Sequence, residues 1–173
     1  DATTWGQMIK RNKGLKIPKG TPAKQPFVQI LDPATGTGTF LVEVIDVVYK
    51  TMTGKWKADG HGAKSIEQLW NSYVPENLLS RLHGYELLMA PYAIAHMKIG
   101  LKLYETGYRF DSDERARVYL TNGLEPAQDF SGTLAFAIPA LAHEAEAVNT
   151  IKRDQRFTVV IGNPPYSGFS SNM

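Results

Sequence analysis

Apolar residues fall along this chain into short continuous runs and longer one-sided stripes, and the two kinds alternate. Phe27 to Leu31 is an apolar run closed by Asp32-Pro33 and then by Gly36 and Gly38, a pattern that predicts a buried strand feeding a tight turn. Phe40, Leu41, Val44, Ile45 and Val48 recur on one helical face, with Gly54 as the predicted stop. From about 55 to 81 the pattern predicts an insertion: a Gly60-His61-Gly62 loop, a capping box from Ser65 to Gln68, and a helix with Ile66, Leu69, Trp70 and Tyr73 on its apolar face. Trp56 and Trp70 are expected to pack. Leu82 to Tyr85 predicts a second strand, with Glu86 at its end. Pro91 suits the first turn of the next helix, where Ile94, Met97, Leu101 and Tyr104 line one side and Lys98 and Lys102 the other. Arg117 to Leu120 predicts a third strand, closed by Thr121, Asn122 and Gly123. Pro139 is expected to open a helix through about Arg153, before a β-branched strand from Phe157 to Ile161 that runs into Gly162-Asn163-Pro164-Pro165-Tyr166. Strands separated by helical stretches predict an α/β fold, a doubly wound and mostly parallel sheet covered on both faces.

At 173 residues and 43% hydrophobic, the chain can bury one core without staples. It holds no cysteine, which excludes disulfides and thiolate metal sites, and its four histidines lack ligand spacing, so no metal is expected. No apolar run approaches the length of a membrane span and no signal-peptide pattern opens the chain; a soluble, cytoplasmic protein is expected. The chain begins at Asp1 and stops at Met173, just after its last motif, and is read as a piece of a larger protein. The net charge of +2 says little about partners, but its distribution is uneven. Lys10, Arg11, Lys13, Lys16, Lys19 and Lys24 all precede the next acid after Asp1, which is Asp32. This basic stretch, threaded with Gly14, Pro18, Gly20, Pro22 and Pro26, suits a phosphate backbone, but the base rate for charge runs favours a solvated, mobile lead-in.

In a parallel α/β sheet, ligands collect at the carboxyl ends of the strands, where strand order reverses. Every unusual residue set here lies at such an end. The first is Asp32-Pro33-Ala34-Thr35-Gly36-Thr37-Gly38-Thr39-Phe40, whose glycines let the backbone turn tightly beside a bound molecule. A dinucleotide fingerprint is disfavoured: its third small residue would fall at Leu41, and Glu86 lies far beyond the expected offset of roughly 20 residues. A P-loop is excluded, because no Lys-Ser or Lys-Thr follows the glycines. An acid ending the first strand fits an amino group, and an acid ending the second fits ribose hydroxyls. Asp32 and Glu86 would then clasp opposite ends of an amino-acid nucleoside, and S-adenosylmethionine is such a molecule. Phe40 is expected to pack under the loop.

The second set, Asn163-Pro164-Pro165-Tyr166, is of a kind met by chance in on the order of one such chain in several hundred. Two prolines make a stiff loop with few donors. An exocyclic amino group on a purine is a poor nucleophile, because its lone pair is delocalised into the ring. Acceptance of its two hydrogens by the Asn163 side-chain oxygen and the Pro164 carbonyl would draw the nitrogen toward tetrahedral geometry and aim the lone pair at a donor methyl. Tyr166 would stack on the target base, which must be flipped out of a duplex to arrive there. Tyr85 and Tyr92 are expected in the core, and His83 and His96 are expected to be satisfied or solvated.

With both sets in this order, the sequence resembles the amino-methylating DNA methyltransferases, which carry a motif like DPATGTGTF for the cofactor and an NPPY motif for catalysis. The order resembles the gamma group of N6-adenine enzymes. The wording VVIGNPPYSG is similar to methylase modules of large single-chain restriction-modification proteins that also carry a helicase, and YELLMAPYAIAHM adds to that likeness. The resemblance implies a Rossmann-like methyltransferase fold over 27–173, in partial form, after a basic lead-in of 1–26. It implies S-adenosylmethionine as cofactor, with Asp32, Ala34, Gly36 and Gly38 at its methionine part, Glu86 at the ribose and the Asn122 loop at the adenine. Pro33, Thr35 and Phe40 complete the expected cofactor loop, and Asn163, Pro164, Pro165 and Tyr166 the catalytic one. DNA is the implied partner, bound mainly by a recognition domain outside the chain, with a minor share from Lys10 to Lys24. Some RNA and protein-glutamine methyltransferases share NPPY, and a non-catalytic cofactor-binding module is a further alternative. Many relatives carry Asp where Asn122 stands, and the tyrosine- and proline-containing segment that completes their methionine pocket has no counterpart upstream. Weak cofactor binding and no turnover are therefore expected of this stretch alone.

Overall fold

The computed structural model describes residues 3–111, 114–123 and 148–164. Among the described residues four strands form one sheet: β1 (Ile30–Asp32), β2 (Leu82–Glu86), β3 (Arg117–Leu120) and β4 (Val159–Val160), in the order β3-β2-β1-β4 with every pairing parallel. The first three strands are laid down in one direction and β4 is placed on the other side of β1, so strand order reverses between β1 and β4.

Both faces of the sheet are covered, as the alternation of strand residues requires. On one face Leu82 and Val118 meet Leu41 and Ile45 of α2 (Thr39–Ala58), Trp70 of α3 (Ala63–Tyr73), and Ala95, Ile99 and Leu103 of α4 (Met89–Glu105). On the other, Leu31, Tyr85 and Tyr119 pack with Val148, Ile151 and Phe157, where residues 148–154 are helical. The expected helix from Pro139 is thus seen in its last part, and the rest lies outside the described residues.

Several boundaries differ from expectation. β1 begins at Ile30 rather than Phe27, because Phe27 turns instead onto the buried Trp5 ring, 4.8 Å away edge-on. β4 is shorter than Phe157 to Ile161, since Phe157 is drawn against His83 and Tyr85. α2 runs through Gly54 to Ala58 and is ended by Asp59 and by Gly60 at φ 88°. A glycine inside a helix costs only about 1 kcal/mol, and the neighbouring Thr53 and Trp56 pack inward and carry the helix past it. α3 is capped by the Gly62 backbone, not by Ser65, whose hydroxyl lies 3.1 Å from His61 Nδ1. Its predicted face holds: Ile66 and Trp70 are buried, and Trp70 Nε1 donates to Thr106 Oγ1 at 2.9 Å. Pro75 has no N–H to donate back into α3, and the chain widens there into a π-turn (Val74–Leu78) and a 3-10 turn (Leu79–Arg81) before β2.

The basic stretch is folded. α1 (Trp5–Arg11) opens with a capping box between Thr4 and Gln7, and Trp5 and Gly6 donate to the carbonyls of Gln25 and Ala23. Thr4 and Pro26 form an antiparallel bridge, and Phe27 N–H donates to Thr3. The stretch thereby closes on itself at the amino end of β1.

α4 presents the largest departure. Its buried residues are Ala95, Ile99 and Leu103, while the expected inward stripe is exposed: Ile94 by 40%, Met97 by 59%, Leu101 by 54% and Tyr104 by 72%. The lysines read as its solvent side face α2 instead: Lys98 Nζ donates to Thr39 Oγ1 at 3.0 Å, and Lys102 pairs with Asp46 at 3.5 Å.

Candidate functional site

The carboxyl ends of the four strands bring the two motif loops together at the reversal point. Asp32 ends β1 and is fully buried; its Oδ1 accepts from Ala34 N–H at 3.2 Å, while Oδ2, equally buried, has no hydrogen-bond partner among the described residues. Burial raises its pKa above the ordinary 3.8, the Ala34 N–H works against that, and the charge of Glu86 adds to the rise. Gly36 and Gly38 make the turn into α2 with φ of 55° and 77°, conformations that favour glycine. A side chain on Gly38 would also press on Ala95 of α4, with its Cβ 3.1 Å away.

Glu86, at the end of β2, reaches across to this turn. One of its oxygens accepts from Gly36 N–H at 2.7 Å and the other from Leu88 N–H at 2.9 Å. The N–H expected to face a ligand's carboxylate or phosphate is thus already held by a carboxylate of the protein. With Asp32 beside it, the edge carries two acids, neither bonded to a cation among the described residues, while Lys98 Nζ reaches Thr37 and Thr39 of the same loop and Lys152 Nζ the Asn122 carbonyl; the paired carboxylates themselves repel a phosphate and attract a positive group. Thr35 fastens the loop from below, its N–H to the Tyr85 carbonyl at 2.9 Å and its hydroxyl to the Asp32 carbonyl at 3.0 Å. Pro33 and Ala34 are half-buried on the loop. Phe40 is 43% exposed instead of lying under the loop, because the side facing the core is taken by Leu41.

Asn122 follows β3 on the same edge, and its carbonyl accepts from Lys152 Nζ at 2.7 Å. Asn163 and Pro164 follow β4 and are exposed; Pro165 and Tyr166 lie outside the described residues. Gly162 brings this loop against Asp32 so closely that a Cβ on it would sit 2.7 Å from Asp32 Oδ1. Gly123 does the same at the third strand, where a Cβ would be 2.5 Å from the Pro33 carbonyl oxygen, and Gly84 at the second, 2.5 Å from Thr35 Oγ1. Sequence reasoning singled out neither these close approaches nor Lys152; the available signal was a glycine within or just after each strand.

Around the site, Tyr85 is buried as expected and burial pushes its phenol up to about 12, with Tyr119 adding to the shift. Tyr92 is half-buried against the core, and His96 Nε2 lies 3.2 Å from the Val118 carbonyl. His83 departs from expectation: it is wholly buried under Phe157, and neither ring nitrogen makes a hydrogen bond of normal geometry, although the backbone at Arg81 and Ile30 lies near enough to favour its charged form slightly. Among the described residues no three His, Cys, Asp or Glu side chains gather as a metal site would need, and no helix is long and apolar enough to cross a membrane.

An all-parallel sheet, covered on both faces and reversing beside a glycine turn, defines an α/β architecture compatible with a Rossmann-like fold. No protein-family model and no curated protein matches the chain. Among solved structures it is similar to part of the ATP-dependent Type ISP restriction-modification enzyme LlaBIII bound to DNA, with 24% identity and a TM-score of 0.57 over 98% of this chain and 10% of that one. It is similar also to part of a nuclease-deletion mutant of the Type ISP enzyme LlaGI in complex with a DNA substrate mimic, with 23% identity and a TM-score of 0.55 over 96% of this chain and 12% of that one. A DrdV–DNA complex matches at 27% identity and a TM-score of 0.49, over 95% and 13% of the two chains. The chain spans about a tenth of the length of each of these proteins, and the first two likenesses establish its fold.

Proposed function

We propose that this chain is the cofactor-binding and catalytic-loop part of a restriction-modification enzyme that methylates the N6 amino group of adenine in DNA, with S-adenosylmethionine as the methyl donor. The observation that carries the reading is the paired-acid edge: a buried Asp32 with one oxygen unpaired among the described residues, and a Glu86 that has already taken the glycine-turn N–H. A phosphate-bearing dinucleotide needs that N–H and would be repelled by both carboxylates, whereas a ligand with an ammonium group, a sulfonium centre and a ribose matches them. The residues present therefore fit the group. S-adenosylmethionine, when bound, supplies a methyl carried on a positively charged sulfur.

The chain's own part is to bind and to position. Asp32 Oδ2 is the acceptor for the ammonium group, and Glu86, whose oxygens keep spare lone pairs while holding the backbone, accepts from the ribose hydroxyls. The Asn122 loop, held by Lys152, takes the adenine end of the cofactor. Asn163 and Pro164 accept the two amino hydrogens of the target adenine, leaving its lone pair free to attack, and Tyr166 stacks on the base to hold it. The contact of Gly162 with Asp32 supports this division of labour, because it sets the loop that holds the target base directly beside the acid that holds the donor. Fold neighbours that are restriction-modification enzymes solved with DNA support the choice of DNA as substrate.

The test is made in cells. When the full protein is expressed in a host without adenine methylation, its genomic DNA gains N6-methyladenine, measured by mass spectrometry of nucleosides. Asn163→Ala removes that signal while S-adenosylmethionine affinity stays within about twofold. Unchanged DNA, or a methyl group found on RNA or on glutamine instead, contradicts the proposal.

A further inference from the structure

The folded basic stretch plays no part in the site described above. Lys10, Lys13, Lys16, Lys19 and Lys24 are all exposed, and none of them forms an ion pair or hydrogen bond among the described residues. They stand on a rigid frame. Trp5 is buried, Gly6 N–H donates to the Ala23 carbonyl at 2.8 Å, and three turns close within the loop: Leu15 to Asn12, Thr21 to Pro18 and Gln25 to Pro22. Gly6 sits so close to the returning chain that a Cβ on it would lie 3.2 Å from Ala23 O. The turns fold these like charges back onto one loop instead of leaving them on an extended tail, at an electrostatic penalty that a polyanion relieves.

We propose that this surface is a second, sequence-independent contact for the phosphate backbone of duplex DNA, separate from the pocket for the target base. The choice of DNA rests on the function proposed above. A lipid surface is disfavoured by the patch itself: α1 has seven residues, its aromatic residue Trp5 faces inward, and no large apolar side chain is exposed among residues 3–27 to anchor in a membrane. The surface lies on the amino side of β1, and the pocket at its carboxyl end. DNA held there is therefore gripped without regard to the base in the pocket, and the grip does not need cofactor.

Each lysine that neutralises a phosphate releases counterions and adds about 0.9 to the slope of log affinity against log salt. Binding of a fluorescent duplex of about 20 base pairs is followed by anisotropy between about 50 and 200 mM salt, for the wild type, for the triple variant Lys13→Gln, Lys16→Gln, Lys19→Gln, and for Asn163→Ala. The triple variant is expected to lose roughly 2 to 3 in slope and to bind S-adenosylmethionine as the wild type does. Asn163→Ala is expected to keep the full slope. An unchanged slope in the triple variant, with an unchanged melting temperature showing that it folds, overturns the proposal. So does tighter binding to an RNA duplex of equal length or to phosphatidylserine vesicles. If duplex binding and its salt slope survive in a protein that binds no S-adenosylmethionine, this surface stands and the methyl-transfer reading falls.

Discussion

His83 shows how much one buried ring can carry. Burial and the nearby charge of Arg117 push it down from 6.5 to about 4, so the folded chain holds the neutral ring while an unfolded chain takes up a proton first. Stability is therefore complete above about 6.5 and is lost as pH falls toward 4, by about 3 kcal/mol at most. Urea unfolding at pH 7 and pH 4.5 measures the loss, and His83→Leu is expected to remove most of it; a variant as pH-sensitive as the wild type would show that the ring is not its source. Asp32 works in the opposite sense. Its raised pKa makes the folded state the better proton acceptor just above 3.8. Neither property could be taken from the sequence, where His83 is one of four histidines and only its depth in the fold sets it apart.

Among the elements, strands and glycine turns were legible and helix faces less so. β2 and β3 lie where the short apolar runs placed them, and Glu86 and Asn122 stand at their ends. α4 misled because its apolar residues occupy more than one face. The stripe of Ile94, Met97, Leu101 and Tyr104 looks like a core face by its spacing, but the sheet takes the narrower stripe of Ala95, Ile99 and Leu103. Small Ala95 is what lets the start of α2 approach at Gly38, a requirement of packing that periodicity does not contain. The two stripes should differ in energy accordingly. Ile99→Ala is expected to cost about 2 to 5 kcal/mol, and Leu101→Ala to stay within about 0.5 kcal/mol, both from denaturant unfolding; equal losses would place Leu101 in the core. Gly54 misled for a related reason, since a helix end is set by what its last turn packs against more than by one weak residue.

For the whole chain, the doubly covered parallel sheet followed from the alternation of runs and stripes, and the reversal between β1 and β4 set both motif loops on one edge. What the motifs could not show was how the edge is assembled: Glu86 bonded to the glycine turn, Gly123 against Pro33, and Gly162 against Asp32. These contacts join residues far apart in sequence and depend on strand order. They also give the edge its character, two neighbouring carboxylates beside the glycine turn, which the reading proposed above assigns to a cationic ligand. Calorimetric titration of the chain with S-adenosylmethionine and, separately, with NAD at equal concentrations tests that character most directly. S-adenosylmethionine is expected to bind, weakly, with affinity that rises as pH climbs out of the carboxylate range and falls about 10- to 100-fold in Asp32→Asn, the worth of one charge-assisted hydrogen bond. NAD is expected not to bind; NAD binding as tight as that of S-adenosylmethionine, or an Asp32→Asn variant that binds S-adenosylmethionine as the wild type does, would contradict the reading of this edge.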